Sequence, residues 1–221
     1  MSRTVIITAG GIGKRMQTDI PKQFLLLGGK PILLRTLEIF YDFDPSAQLL
    51  ITLPSEWKDY WQSILDQYAS TIPHQLIEGG LERFHSIQNA LQHSTGKQIA
   101  VHDGVRPLVS IETISRCFAA LENAEAVVPV LAAKDSIRKG SLDDSEAVDR
   151  KEYFLVHTPQ CFHAAVIKSA YQQAFQNTFT DDASVVEAQG VQVKMVLSNE
   201  ENIKITSQLD LKLTHALLTE N

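Results

Sequence analysis

The apolar run Val5-Ile6-Ile7 ends in Thr8-Ala-Gly-Gly-Ile-Gly-Lys-Arg-Met16, a strand-like segment emptying into a glycine-rich turn. Glycines let the backbone bend sharply and bring several N–H groups against one anion with no Cβ in the way. Lys14 and Arg15 lie in the turn, and Lys22 follows within Pro21-Lys22-Gln23. Backbone donors and full positive charges around one point are what a polyphosphate needs. A nucleoside-triphosphate P-loop is excluded, because Arg15 follows Gly13-Lys14 where Ser or Thr is required and Thr8 stands in the first glycine's place. A dinucleotide fingerprint is excluded too, since Met16 occupies the position of its last glycine.

Apolar strand-like runs alternate with helical patterns along the chain. Strands are predicted over Thr4–Thr8, Leu49–Leu53, Gln75–Ile77, Gln98–His102, Ala126–Val130 and Gln192–Leu197. Helices are predicted over Pro31–Tyr41, Trp57–Tyr68, Glu82–Leu91, Ile111–Asn123, His163–Gln176, Asp182–Ala188 and Ser207–Leu218. Such alternation implies an α/β fold, a mostly parallel sheet with helices on both faces. At 221 residues the chain is expected to form one such domain.

The segment from Ala133 to Thr158 breaks this rhythm. It holds the acidic cluster Asp143-Asp144-Ser145-Glu146 and lacks a core-like apolar run, yet β-prone residues flank it in Asp135-Ser-Ile-Arg138 and Tyr153-Phe-Leu-Val156. An extended hairpin arm is expected there. An arm that buries little of itself on its own domain points to packing on a partner, hence a homodimer.

A net charge of −6 argues against a general nucleic-acid surface, so any cationic site is a local concentration on an acidic background. No apolar run approaches a membrane span and the N-terminus lacks a signal-like core, which makes the cytoplasm the expected compartment. Cys117 and Cys161 are in no metal-ligand spacing and read as reduced thiols, Cys117 in the core.

Ligands of open α/β sheets bind beyond the carboxyl ends of the strands, and the remaining polar clusters sit at such ends. Gly79-Gly80-Leu-Glu-Arg83-Phe-His-Ser86 follows one strand and opens a helix, with Arg83 and Ser86 a turn apart. Val101-His102-Asp103-Gly104-Val105-Arg106-Pro107 follows another, and Asn202-Ile-Lys204-Ile-Thr206 follows the last. Together with Val148-Asp149-Arg150, Thr158-Pro159-Gln160 and Thr180-Asp181-Asp182-Ala183-Ser184, these blocks resemble, in order and over almost the whole chain, the 2-C-methyl-D-erythritol 4-phosphate cytidylyltransferases.

The resemblance implies a Rossmann-like nucleotidyltransferase fold and coupling of CTP to a sugar-alcohol phosphate, with Mg²⁺ on the triphosphate. Arg15, Lys22 and Lys204 match the groups that stabilise charge at the reacting phosphates. Ala9, Gly10, Gly11 and Gly13 match the cradle of the triphosphate, and Gly80, Arg83, Ser86 and Asp103 match the cytidine contacts. Arg106, Ser136, Arg150, Thr158 and Thr180 match positions around the sugar-alcohol phosphate, with Ser136 and Arg150 reaching from the arm into a neighbouring subunit. His85 and His102 are expected to be structural, because the phosphate nucleophile is already an anion and needs no base. Leu81 and His157 depart from the residues common at those positions.

Two other readings share parts of this pattern. A ribitol 5-phosphate cytidylyltransferase has the same glycine loop and Pro-Lys-Gln, but Val148-Asp149-Arg150 spaced before Thr158-Pro159-Gln160 is similar to the erythritol-phosphate enzymes. A non-catalytic nucleotide sensor has no use for Arg15, Lys22, Arg150 and Lys204 all retained together.

Overall fold

The computed structural model describes residues 1–11 and 20–219. Gly13, Lys14, Arg15 and Met16, on which part of the phosphate-loop reading rests, lie outside the described residues.

The first strand, β1 (Arg3–Thr8), lies in the interior of the sheet. It pairs in parallel with β4 (Gln48–Leu53) on one side and β6 (Gln98–Asp103) on the other. A short hairpin of β2 (Leu26–Leu27) and β3 (Lys30–Pro31) lies between β1 and β4 in sequence, and β5 (Gln75–Glu78) extends the sheet in parallel beyond β4. The chain therefore builds outward from β1 in one direction through β4 and β5, then returns to β1's other side with β6. The crevice at that reversal, outside the carboxyl ends of the strands, is where ligands of open sheets bind.

Alternation along the strands sends side chains to two opposite cores. Val5 and Ile7 join Leu49 and Ile51 against α1 (Ile32–Phe43), α2 (Lys58–Gln67) and α4 (Ile111–Ala120). Ile6 and Leu50 face the other way, against α3 (Arg83–His93), α5 (Ala164–Ala170) and α6 (Asp182–Glu187). Helices thus cover both faces, as the alternating pattern predicts. The last helix, α7 (Gln208–Thr219), packs Leu211 and Leu218 on a small cluster with Leu27, Ile32, Val105 and Ile205. No described helix is long and apolar enough to cross a membrane.

Beyond β6 the structure departs from the predicted elements in two places. Gln160–His163 forms β11, an antiparallel strand inserted between β6 and β7 (Ala126–Ala132). Its four residues carry no legible alternation, and pairing on both edges is what makes them a strand. The predicted helix His163–Gln176 ends at Ala170, because Tyr171 is buried and the following chain folds Phe175 and Phe179 back onto Phe84, with ring centroids 5.7 and 5.9 Å away.

The arm is a separate two-stranded antiparallel hairpin of β8 (Ile137–Gly140) and β9 (Ser145–Val148). It leads through one 3₁₀ turn into β10 (Phe154–Val156), which pairs with β7. Val130 of β7 pairs with both Val156 of β10 and Leu197 of β12 (Val193–Leu197), so these two strands flank it. Cys117 and Cys161 are free and buried.

Candidate active site

Four parallel strands end side by side in the order β5, β4, β1, β6, and the register aligns Thr8 with Thr52 on one side and Asp103 on the other. The loops leaving these ends enclose a cavity of about 310 Å³. Its wall holds Ala9, Gly10, Gly11 and Lys22 from the first loop, Gly80, Arg83 and Ser86 from the third, and Asp103 and Lys204 from the far side. These are nine of the residues singled out from sequence, brought from four separate stretches of chain.

The first loop is held by its neighbours. Ala9 N donates to Thr52 O (3.0 Å), and the buried Gln23 donates through Nε2 to Ala9 O (2.6 Å). Gln23 sits in a 3₁₀ turn, Lys22–Phe24, that is anchored by Phe24 among the rings of Trp57, Tyr60 and Trp61. Lys22 is thereby set over the glycine loop: a Cβ added to Gly11 would stand 4.0 Å from Lys22 Cε.

The third loop is a close-packed turn. Gly80 N donates to Ser86 Oγ (2.9 Å), and that hydroxyl donates to Glu82 O (3.2 Å). A Cβ on Gly80 would approach His85 Cβ to 2.4 Å and His85 carbonyl carbon to 2.9 Å, so only glycine lets the turn close on the start of α3. Leu81, at the departure noted in sequence, is fully exposed on the rim.

Asp103 is the electrostatic centre. Its carboxylate lies 3.0 Å from Arg106 Nε, 3.1 Å from Lys204 Nζ and 3.9 Å from Arg83 Nε. Burial alone would raise the Asp103 pKa, but Lys204, Arg83 and Arg106 outweigh it and hold the carboxyl well below the usual range. One carboxylate among three cations leaves the cavity wall cationic, in a protein that is acidic overall. Lys204 reaches this place because Ile205 N donates to Val105 O (3.0 Å) and Arg106 Nη1 donates to Asn202 O (2.7 Å), tying its segment to the β6 loop.

Arg83 is oriented from behind by a bidentate pair with the fully buried Asp182 (3.0 and 2.6 Å), which also accepts from Tyr171 OH (2.5 Å). Burial opposes the charge on Arg83, yet Asp182 and Asp103 overcome it and raise its pKa above the ordinary value. Asp182 has a structural part that its place in Thr180–Ser184 did not disclose. Asp181 caps α6, in a reciprocal pair with Ser184.

Other expected site residues lie away from the cavity wall. Arg106 and Thr158 are buried behind Asp103, where Thr158 Oγ1 accepts from Asp103 N (3.1 Å). Both position Asp103 in this chain. Thr180 is exposed near the aromatic cluster of α3, and Ser136 is exposed beside the arm. Arg150 donates through Nη1 to Lys134 O, bracing the arm's base.

Two histidines beside the Asp103 cluster, His102 and His157, are neutral. His102 Nε2–H donates to Arg106 O (3.1 Å) and Nδ1 accepts from Thr158 Oγ1 (3.0 Å), a network satisfied only by the uncharged ring. Burial pushes its pKa down to about 4, and burial followed by Arg106 does the same for His157, whose Nδ1 meets Ser198 Oγ at 3.0 Å. Between the ordinary value of 6.5 and about 4 the unfolded chain binds protons that the fold excludes, so stability is complete above pH 6.5 and falls as pH drops through that window. His102 alone contributes about 2 kcal/mol of loss by pH 5. The melting temperature at pH 5 is expected to lie about 5 °C below that at pH 7. Equal values would mean that His102 carries a proton inside the fold.

Thr52 was not legible as a site residue, although a single polar residue at the carboxyl end of the apolar run Leu49–Leu53 is the available signal. It lines the cavity with its hydroxyl unpaired.

A family model, IspD: 2-C-methyl-D-erythritol 4-phosphate cytidylyltransferase, matches residues 3–220. The chain is 48% identical over 219 residues to a 2-C-methyl-D-erythritol 4-phosphate cytidylyltransferase of Bacteroides fragilis, covering 99% of this chain and all of that protein. It is 47% identical over 219 residues to the one of Phocaeicola vulgatus, with the same coverage. Among solved structures, the 4-diphosphocytidyl-2C-methyl-D-erythritol synthase of Anaerococcus prevotii superposes with a TM-score of 0.85 at 26% identity, over 99% of this chain and 96% of that one. The 2-C-methyl-D-erythritol 4-phosphate cytidylyltransferase of Thermus thermophilus gives 0.79 at 30% identity, over 99% and 100%.

Proposed function

The chain belongs to the 2-C-methyl-D-erythritol 4-phosphate cytidylyltransferase family, and from that membership we propose that it transfers CMP from CTP to 2-C-methyl-D-erythritol 4-phosphate in non-mevalonate isoprenoid biosynthesis. The observation that carries the reading is the cavity itself, which Lys22 and Lys204 line together with the glycine loop and the Gly80 turn.

An oxygen of the substrate phosphate bonds to the α-phosphorus of CTP, and the bond from that phosphorus to the bridging oxygen of the β-phosphate breaks. Pyrophosphate leaves with the electron pair. The nucleophile is an anion, so the barrier is set by negative charge gathering at one phosphorus. Lys22 and Lys204 offset that charge, joined by Arg15 from the glycine loop. The close-packed Gly80–Ser86 turn is the part of the site suited to a pyrimidine edge, with a purine selected against by size. Asp103 holds the ribose side of the site and keeps Lys204 in place.

Magnesium suits this donor set as an ion carried by the triphosphate. Asp103 is already occupied by three cations and Glu82 stands on the rim, so such an ion would be held by the nucleotide more than by these side chains. Bound there, the ion would supply positive charge to the triphosphate and its pyrophosphate leaving group.

The active form is a homodimer in the cytoplasm, with the β8–β9 arm of one copy placing Arg150 and Ser136 at the other's site. Support comes from the exposed apolar row beside the arm: Phe154, Leu155 and Val156 on β10, and Met195 and Leu197 on β12.

The direct test is pyrophosphate release from CTP and Mg²⁺, with 2-C-methyl-D-erythritol 4-phosphate and ribitol 5-phosphate supplied separately. Release with the first alone is expected; release with ribitol 5-phosphate alone would reassign the substrate. Mixing an Arg150→Ala subunit with an Arg15→Ala subunit is expected to restore activity that neither has alone. A silent mixture would mean that each subunit works with its own arm.

A further inference from the structure

We propose that the Thr52 hydroxyl is a nucleotide-binding group that pairs with the pyrimidine base of CTP. The inference rests on the cytidylyltransferase reading and adds to it a residue on the cavity floor.

Among the described residues six threonines are fully or nearly fully buried, and five of them pair their hydroxyls. Thr4 donates to Gln48 Oε1, Thr36 to Ile32 O, Thr113 to Asn199 Oδ1 and Thr214 to Asp210 O, while Thr158 is paired with Asp103 N and His102. Thr52, with none of its surface exposed, has no partner for Oγ1. An unpaired buried hydroxyl is costly, and valine would fill the same volume without that cost. The rest of β4 shows that apolar residues suit this strand: its neighbours Leu49, Leu50, Ile51 and Leu53 are all buried. A threonine kept unpaired at the one position of the strand that reaches the cavity is explained by a partner that arrives with the ligand.

Position assigns the part of the ligand. Thr52 stands between the ends of β1 and β5, opposite Thr8 and Ile77, and so between the glycine loop and the Gly80 turn. It shares the face of β4 with Leu50, which packs with Phe84 and Ile87 of α3. That places it under the first turn of α3, on the Ser86 side of the cavity and not at the lysines. Ser86 Oγ is no partner for it, being used both as acceptor from Gly80 N and as donor to Glu82 O. A hydroxyl both donates and accepts, and the pyrimidine edge of cytosine offers the acceptors O2 and N3 beside an amino donor. Rotation about the side chain's first torsion exchanges the positions of hydroxyl and methyl.

The test is CTP binding by calorimetry, together with thermal melting of the ligand-free protein, for wild type, T52V and T52S. T52V is expected to bind CTP about 10-fold more weakly while melting at or above the wild-type temperature, since removal of an unpaired hydroxyl relieves its burial. T52S is expected to stay within about 3-fold of wild type, because it keeps the hydroxyl. Wild-type affinity in T52V would overturn this inference alone. Weaker binding accompanied by lower melting in both variants would assign Thr52 to packing and overturn it as well. Failure of the wild-type protein to bind CTP would overturn the cytidylyltransferase reading, and this inference with it.

Discussion

Lys22→Ala is expected to lower kcat by about a hundredfold or more while changing CTP affinity far less. The reaction brings a phosphate anion against a triphosphate, and charge peaks at the α-phosphorus only in the transition state. A cation held rigidly over the glycine loop is worth most at that moment, because its position is set before the reaction begins. Lys22 meets this condition through its neighbours: Gln23 is tied to Ala9 O at 2.6 Å, and Phe24 is locked among three aromatic rings. Turnover measured beside calorimetric CTP affinity separates the two contributions. Equal losses in both would make Lys22 a ground-state anchor of the triphosphate.

Asp103→Asn is expected to lower the melting temperature by about 10 °C, corresponding to roughly 3–5 kcal/mol. The substitution keeps the shape of the side chain and removes the charge that three cations share. Arg106 suffers most, because it is buried with Asp103 and its guanidinium otherwise pairs with the carbonyl of Asn202. A buried cation stripped of its counter-ion loses far more than an exposed one. Lys204 and Arg83 are partly exposed, so water compensates them and their share of the loss is smaller. Asp103 titrates below the ordinary carboxylate range, so its contribution persists above about pH 4 and disappears only in stronger acid. The loss expected between pH 6.5 and 4 therefore belongs to the histidines and should remain in Asp103→Asn. An unchanged melting temperature would show that the cluster does not hold the β6 loop to the Lys204 segment.

Much of the site was legible because its residues lie at strand ends, and strand ends are marked locally. Val5–Ile7 followed by glycines, Gln75–Ile77 followed by Gly79-Gly80, and Gln98–His102 followed by Asp103 each announce a turn within a few residues. What was not legible is how those residues divide their labour. Arg106 and Arg83 look alike in sequence as cations after strands, yet one lies behind the cavity wall and the other on it. Asp182 and Asp181 are adjacent acids, but one fixes Arg83 while the other caps a helix.

The alternation of the main strands and helices and the glycine turn after Gln75–Ile77 were determined by the sequence alone, because hydrophobic period and backbone freedom are properties of neighbouring residues. Tertiary structure decided the rest. It made Gln160–His163 a strand by pairing it on both edges, stopped α5 where the aromatic rings fold back on Phe84, and joined Arg83 to Asp182 across 99 positions. It also left the Thr52 hydroxyl without a partner. Contacts of this kind depend on which distant groups share a buried volume, and no local pattern encodes that.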